Sequence, residues 1–88
     1  MLWILELADS AEKELSKIDK TKAALILIKI RDKILAQTDP TIYSDCLKYN
    51  FFGLWKLRVE NFRIIFRILT DKKIVQVIKI GHRSNVYK

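Results

Sequence analysis

One cysteine (Cys46), one histidine (His82), one proline (Pro40) and two glycines (Gly53 and Gly81) in 88 residues remove several designs at once. A lone cysteine excludes an internal disulfide framework and a multi-cysteine zinc site, and it points to a reducing compartment. With only one histidine beside it, no structural metal and no cofactor is expected. Two glycines leave no Gly-rich phosphate loop, no flexible linker and no collagen-like repeat. Long apolar runs are missing too. The densest patch, Ala23 to Ile28, is followed at once by Lys29, Arg31, Asp32 and Lys33, far short of the ~18–20 apolar residues of a membrane span. The start, Met1 to Glu6, has no basic segment of the kind that opens a signal peptide. The expected location is the cytoplasm, with no membrane partner.

What is present is a folding composition. The chain is 50% hydrophobic and 31% charged, too apolar for a disordered segment. Residues 1–88 are expected to form a single domain. A chain of this size buries ~60–65% of its unfolded surface, which leaves little room for a deep pocket.

The net charge of +7, from 17 basic and 10 acidic side chains, is unevenly spread. Residues 1–47 hold seven basic and eight acidic side chains, a balance of −1, whereas residues 48–88 hold ten against Glu60 and Asp71, a balance of +8. A one-sided positive charge favours a polyanionic partner, nucleic acid or an acidic protein, through counterion release and steering.

The periodicity predicts an α+β fold of order β-α-α-β-β-β. Residues 2–7 are short and rich in strand formers. Asp9 followed by Glu12 has capping-box-like spacing, and Ala11, Leu15 and Ile18 fall on one face of a helix over about 9–18. Thr21 can cap a second helix over 22–36, with Ala24, Leu27, Ile28, Ile30 and Ile34 on its apolar side. That helix ends before Asp39-Pro40. After a loop at 38–53 the period changes to two. Trp55, Leu57 and Val59 share one face and Lys56 and Arg58 the other; Phe62, Ile64, Phe66 and Ile68 oppose Arg63, Ile65, Arg67 and Leu69. Glu60-Asn61 and Asp71-Lys72-Lys73 read as turns, and 74–80 as the last strand, with Gly81 turning the chain away. An antiparallel helix hairpin would cover one face of a small, mainly antiparallel, twisted sheet. Trp55, Phe62, Ile64 and Phe66 would be core, and the other face would present Lys56, Arg58 and Arg63 together.

No Ser-His-Asp set has a nucleophile elbow, the acids of the basic half form no pair, and Cys46 reads as a loop or core thiol. The remaining constellation is Lys56, Arg58, Arg63, His82, Arg83 and Tyr87, with Lys72, Lys73 and Lys79 adding charge. Guanidinium groups hold phosphate oxygens bidentately and stabilise charge developing on them. A phenol with an ordinary pKa of ~10 is pushed toward its anion by surrounding cations and can act as a general base. With RNA the nucleophile can be the substrate's own 2′-OH. Rows of Lys and Arg on a sheet are also commonly just solvated.

Three blocks narrow the choice. They are Ala8-x-x-x-x-x-Glu14-Leu15-x-x-Ile18-Asp19, the run Gly53-Leu54-Trp55-Lys56-Leu57-Arg58-Val59-Glu60-Asn61-Phe62-Arg63-Ile64-Ile65-Phe66, and Ile78-Lys79-Ile80-Gly81-His82-Arg83-Ser84-Asn85-Val86-Tyr87. Over essentially its whole length the chain resembles the RelE/ParE toxin superfamily of bacterial toxin–antitoxin modules, and its ending resembles the RelE branch. The resemblance implies a RelE-like domain and a ribosome-dependent mRNA endonuclease that cleaves by 2′-OH transesterification without a metal and arrests translation. It implies that Arg63 stabilises the transition state and that Arg83 assists the leaving group or phosphate. Tyr87 then stacks on a base and takes a proton, and Lys56 is a further catalytic cation. Arg58, His82 and Lys79 would contact RNA or phosphate. Leu54 departs from the pattern, since some members carry a lysine there. The implied partners are a RelB-like antitoxin, acidic or partly disordered, mRNA in the ribosomal decoding site, and ribosomal RNA. The rival expectations are a ParE-like, non-cleaving inhibitor of DNA gyrase and an inactive relative that only binds antitoxin.

Overall fold

The computed structural model describes residues 2–82; Arg83 and Tyr87 lie outside them. Strand β1 (Ile4–Leu7) leads into helix α1 (Asp9–Lys17) and helix α2 (Lys20–Ile30), followed by a π-helical turn at Arg31–Leu35. Four strands follow: β2 (Asp45–Cys46), β3 (Trp55–Val59), β4 (Phe62–Leu69) and β5 (Ile74–His82). They form one five-stranded sheet in the order β1-β5-β4-β3-β2. Only the β1–β5 pair is parallel. The α+β layout, with the helices on one face of a mostly antiparallel sheet, is the one expected from the periodicity.

The core forms where the apolar parities meet the helices. Leu57 and Val59 of β3, Phe62, Ile64 and Phe66 of β4, and Val75, Val77 and Ile80 of β5 pack with Ala11 of α1 and Ile26, Ile30 and Ile34 from the α2 side. Trp55 is only partly buried against this cluster. Trp3 closes one end: its indole is buried, and its Nε1–H donates to the Gln37 carbonyl at 3.0 Å. A buried indole needs that acceptor.

Several local expectations are corrected. Asp9 lies inside the first turn of α1, and the N-cap is Ala8 with no side-chain bond, so no capping box forms. Asp19, rather than Thr21, caps α2, its carboxylate accepting from the Thr21 and Lys22 amides at 3.1 and 3.4 Å. Ala24, Leu27 and Ile28 are exposed, and the buried stripe is Ile26, Ile30 and Ile34. The π turn widens the helix, with the Ala36 amide donating to the Arg31 carbonyl at 3.0 Å. This extra residue lets Ile34 and Leu35 both point inward. The 38–53 loop contains β2, a strand too short to show a period. Beyond it, Gly53 takes φ +91°, a left-handed conformation that suits glycine. Finally, β5 runs through Gly81 to His82 as paired strand, so no turn occurs at Gly81.

The β4–β5 ladder carries a bulge. Ile65 pairs with Lys79, but Phe66 pairs with Val77, leaving Ile78 without a partner. The inserted residue flips parity along β5: Val75 and Val77 face the core before it, Ile80 after it. The Ile78 carbonyl, freed from the ladder, accepts from the Ser10 hydroxyl of α1 at 2.6 Å. Without the bulge Lys79 would point into the core. With it, Lys79 joins the outward face.

Candidate functional site

The outward face of the sheet is read directly from the register. Arg58 of β3 stands opposite Arg63 of β4, which in turn stands opposite Gly81 of β5. The next outward row is Asp45, Lys56, Ile65 and Lys79, with the acid as register partner of Lys56 at the β2 edge. Ile65 is 4% exposed yet outside the helix-side cluster, and its neighbours Lys56 and Lys79 are both half-buried. Their aliphatic stems can lie over apolar surface while the ammonium groups reach solvent. One row further on are Arg67 and Gln76, then Glu6 across β1.

Lys56, Arg58, Arg63 and Lys79 therefore share one face. Arg58 is exposed and Arg63 half-buried. The only hydrogen bond of the Arg63 side chain among the described residues is a long one, Nη1 to the Phe62 carbonyl at 3.4 Å. Among the described residues the ion pairs are Lys17–Glu14 and Arg31–Asp32. Glu60, in the β3–β4 turn, forms no ion pair with Arg63 among the described residues. Like charges directly opposed on a sheet cost stability, and here nothing in the described fold offsets the cost.

His82 does not join this face. Its register partner is Phe62, a core-side residue, and the two rings lie 4.8 Å apart at 48°. Odd-numbered Arg63 and even-numbered Phe62 point to opposite sides of β4, so His82 and Arg63 do as well. Cys46 is exposed on β2, its Sγ 3.9 Å from the Leu47 carbonyl oxygen. Among the described residues no group of three or more His, Cys, Asp or Glu side chains could hold a metal ion. No helix there is long and apolar enough to cross a membrane.

A second feature lies around the edge of β3. Because β2 pairs only with Trp55 and Lys56, the outer edge of Leu57–Val59 is open. Between that edge and α2 runs a groove of about 500 Å³, lined by Leu25, Lys29, Lys33, Tyr43 and Arg58 among others. Lys33 Nζ sits 4.4 Å from the Tyr43 ring centroid. An open strand edge beside apolar and basic side chains can accept an extended acidic peptide. The resemblance did not point to this groove residue by residue, and Tyr43 and Lys33 come together only through the π turn and the loop after it. Arg67 shares the parity of Arg63 on β4 and faces the same side of the sheet.

The chain matches the family model described as "ParE toxin of type II toxin-antitoxin system, parDE" over residues 5–87. No curated protein sequence matches it. Its fold is similar to that of the RelBE2 toxin–antitoxin complex of Mycobacterium tuberculosis, with TM-score 0.79 and 18% identity over 94% of this chain and 100% of that one. A mutant of the E. coli toxin RelE in complex with an antitoxin RelBc peptide gives 0.74 and 24% over 99% and 92%. A YoeB/ParE toxin from Agrobacterium tumefaciens gives 0.72 and 18% over 91% and 98%. At these identities the solved structures speak for the fold.

Proposed function

This chain belongs to the ParE toxin family of type II toxin–antitoxin systems, within the RelE/ParE superfamily, and from that premise we propose that it is a cytoplasmic endoribonuclease toxin, a single domain over 1–88, cutting mRNA on the ribosome. The observation that carries this reading is the pair of opposed arginines, Arg58 and Arg63, with Lys56 one row away on an open sheet face. Such a face offers a phosphodiester several donors, with its carboxylates toward the two edges of the sheet, Asp45 beside Lys56 on β2 and Glu6 on β1.

In the proposed reaction the substrate's 2′-OH attacks the adjacent phosphorus and the P–O5′ bond breaks. The products are a 2′,3′-cyclic phosphate and a 5′-hydroxyl. The 2′ proton passes to a general base, assigned to Tyr87, and a proton is returned to the departing 5′-oxygen, with Arg83 assisting there. Negative charge peaks on the non-bridging oxygens midway. Arg63 is the donor assigned to it, and preorganised donors of this kind give the largest electrostatic gain. Lys56 and Arg58 hold the scissile phosphate and its neighbour, while Lys79 contributes to backbone binding. His82, a β5 residue whose ring packs on Phe62 on the opposite face of the sheet from Arg63, is assigned no proton transfer and no place on the arginine face.

A shallow site suits this substrate, because the ribosome can present the strand. The antitoxin, RelB-like and acidic, is assigned to the groove between α2 and the edge of β3. A second reading, a non-cleaving inhibitor of DNA gyrase, is favoured by the matched family being that of ParE toxins. Incubating the protein with a translation extract and, separately, with gyrase and supercoiled plasmid separates the two: new message ends support the first, blocked supercoiling with intact message the second.

A further inference from the structure

Three strands on the outward face are joined by a side-chain ladder. Arg67 of β4 donates through Nε to Gln76 Oε1 of β5 at 2.6 Å, and Gln76 donates through Nε2 to Glu6 Oε1 of β1, also at 2.6 Å. The order of partners fixes the amide: its oxygen faces the guanidinium and its nitrogen the carboxylate. Both bonds are charge-assisted. Glu6 is thereby held one whole side chain away from Arg67, and no ion pair forms between them among the described residues. The ladder takes up Nε, and among the described residues neither Nη of Arg67 has a hydrogen-bond partner, so the guanidinium presents them in an orientation held from behind.

Arg67 shares the parity of Arg63 and Ile65, on the same strand and the same face. Four residues of extended chain separate Arg63 from Arg67 by ~13 Å, so a single phosphate cannot bridge them. Between them lies the Lys56–Ile65–Lys79 row. The loop carrying the exposed aromatics Tyr49 and Phe52 leaves the sheet at the Arg67 end, since Trp55, the first residue of β3, pairs with Phe66. The cationic surface is thus a line that runs the length of β4.

We propose that Arg67 is a further phosphate-binding residue, oriented by Gln76 and Glu6, which holds the RNA backbone away from the scissile bond and sets the direction of the strand along β4. The inference rests on the reading of this face as an RNA-binding surface. Arg67 is a binding residue; Gln76 and Glu6 act through it as positioning residues.

The test measures binding of a fluorescein-labelled, single-stranded, 2′-O-methylated RNA dodecamer, which 2′-OH attack cannot cut, by anisotropy across a salt series. Wild type is compared with Arg67→Gln, Arg67→Lys, Gln76→Leu and Arg63→Ala. Each phosphate contact on a single strand contributes ~0.7 to the slope of log K against log salt. Arg67→Gln should flatten the slope by ~0.7 and weaken binding several-fold at low salt. Arg67→Lys and Gln76→Leu should keep the slope, because the charge remains, but bind more weakly because its orientation is lost. Arg67→Gln with a wild-type slope and affinity, while Arg63→Ala loses both, overturns the Arg67 contact and leaves the nuclease reading standing. Loss of thermal stability in Gln76→Leu with unchanged RNA affinity overturns the positioning role. No binding by wild type at low salt overturns the proposed track, and cleavage in the translation extract then judges the nuclease reading separately.

Discussion

Arg58 and Arg63 are direct register partners on β3 and β4, and among the described residues neither meets a carboxylate. A sheet selected for stability alone would pair one of them with an acid or a threonine. The arrangement costs stability and keeps a concentrated positive charge on an open face, which is the usual signature of a binding or catalytic requirement.

The cost is measurable. Replacing Arg58 by Thr removes the repulsion and places a good strand former at an exposed position. Chemical denaturation should show a gain of about 0.2–1 kcal/mol. RNA cleavage should fall in the same variant. A loss of stability would mean that the two guanidinium groups stack or share a partner.

The bulge that turns Lys79 outward depends on Ser10, whose hydroxyl meets the Ile78 carbonyl at 2.6 Å. Ser10→Ala should lower stability by about 0.5–1.5 kcal/mol, the net worth of such a hydrogen bond. Urea unfolding should show a lower midpoint with an unchanged slope.

The loop that leads from α2 toward β2 has its own titration. The Thr41 hydroxyl and then the Thr41 amide donate to the Asp39 carboxylate, at 2.7 and 2.9 Å, and hold its pKa below the ordinary carboxylate range against a small desolvation effect. A depressed folded-state pKa contributes stability that is present at neutral pH and lost as pH falls through the lowered value. In Thr41→Val the hydroxyl bond, the larger cause, is gone while the amide bond stays, so the Asp39 titration followed by NMR should move up toward the ordinary carboxylate range. An unmoved titration would contradict the assignment.

Antitoxin binding should depend on the groove rather than on the arginine row alone. Lys29→Glu with Lys33→Glu, two half-buried lysines of the groove wall, should weaken association with the acidic antitoxin about tenfold at low salt, with the difference shrinking as salt rises. RNA cleavage by the free toxin should persist. Unchanged antitoxin affinity would place its docking surface elsewhere.

The parts of the fold that were legible are those with one face in the core. Alternation through Trp55–Val59 and Phe62–Leu69 identified both strands and put Lys56, Arg58 and Arg63 on the same side. Helix α2 was harder, because it is apolar nearly all round. Ala24, Leu27 and Ile28 make as good a stripe as Ile26, Ile30 and Ile34, and only packing against the sheet decides between them. The π turn and the two-residue β2 leave no periodic trace. The β5 bulge does: the apolar parity shifts between Val77 and Ile80, and that shift is readable as an inserted residue. His82 was grouped with the arginines on the expectation of a turn at Gly81, whereas β5 continues through Gly81 and its bulge sets His82 on the Phe62 side. The ladder that holds Arg67 was not legible, because its partners Gln76 and Glu6 are distant in sequence.

The central claim is that this outward face cleaves RNA, with Arg63 stabilising the charge that develops on the phosphate. The most direct test maps message ends in a translation extract given wild-type or Arg63→Ala protein. Wild type should give discrete new ends carrying 2′,3′-cyclic phosphate, and Arg63→Ala should lose them by about 100-fold or more, the scale of removing one such donor, with the fold intact. Equal cleavage by both proteins, or no cleavage by wild type together with blocked gyrase supercoiling, would contradict it.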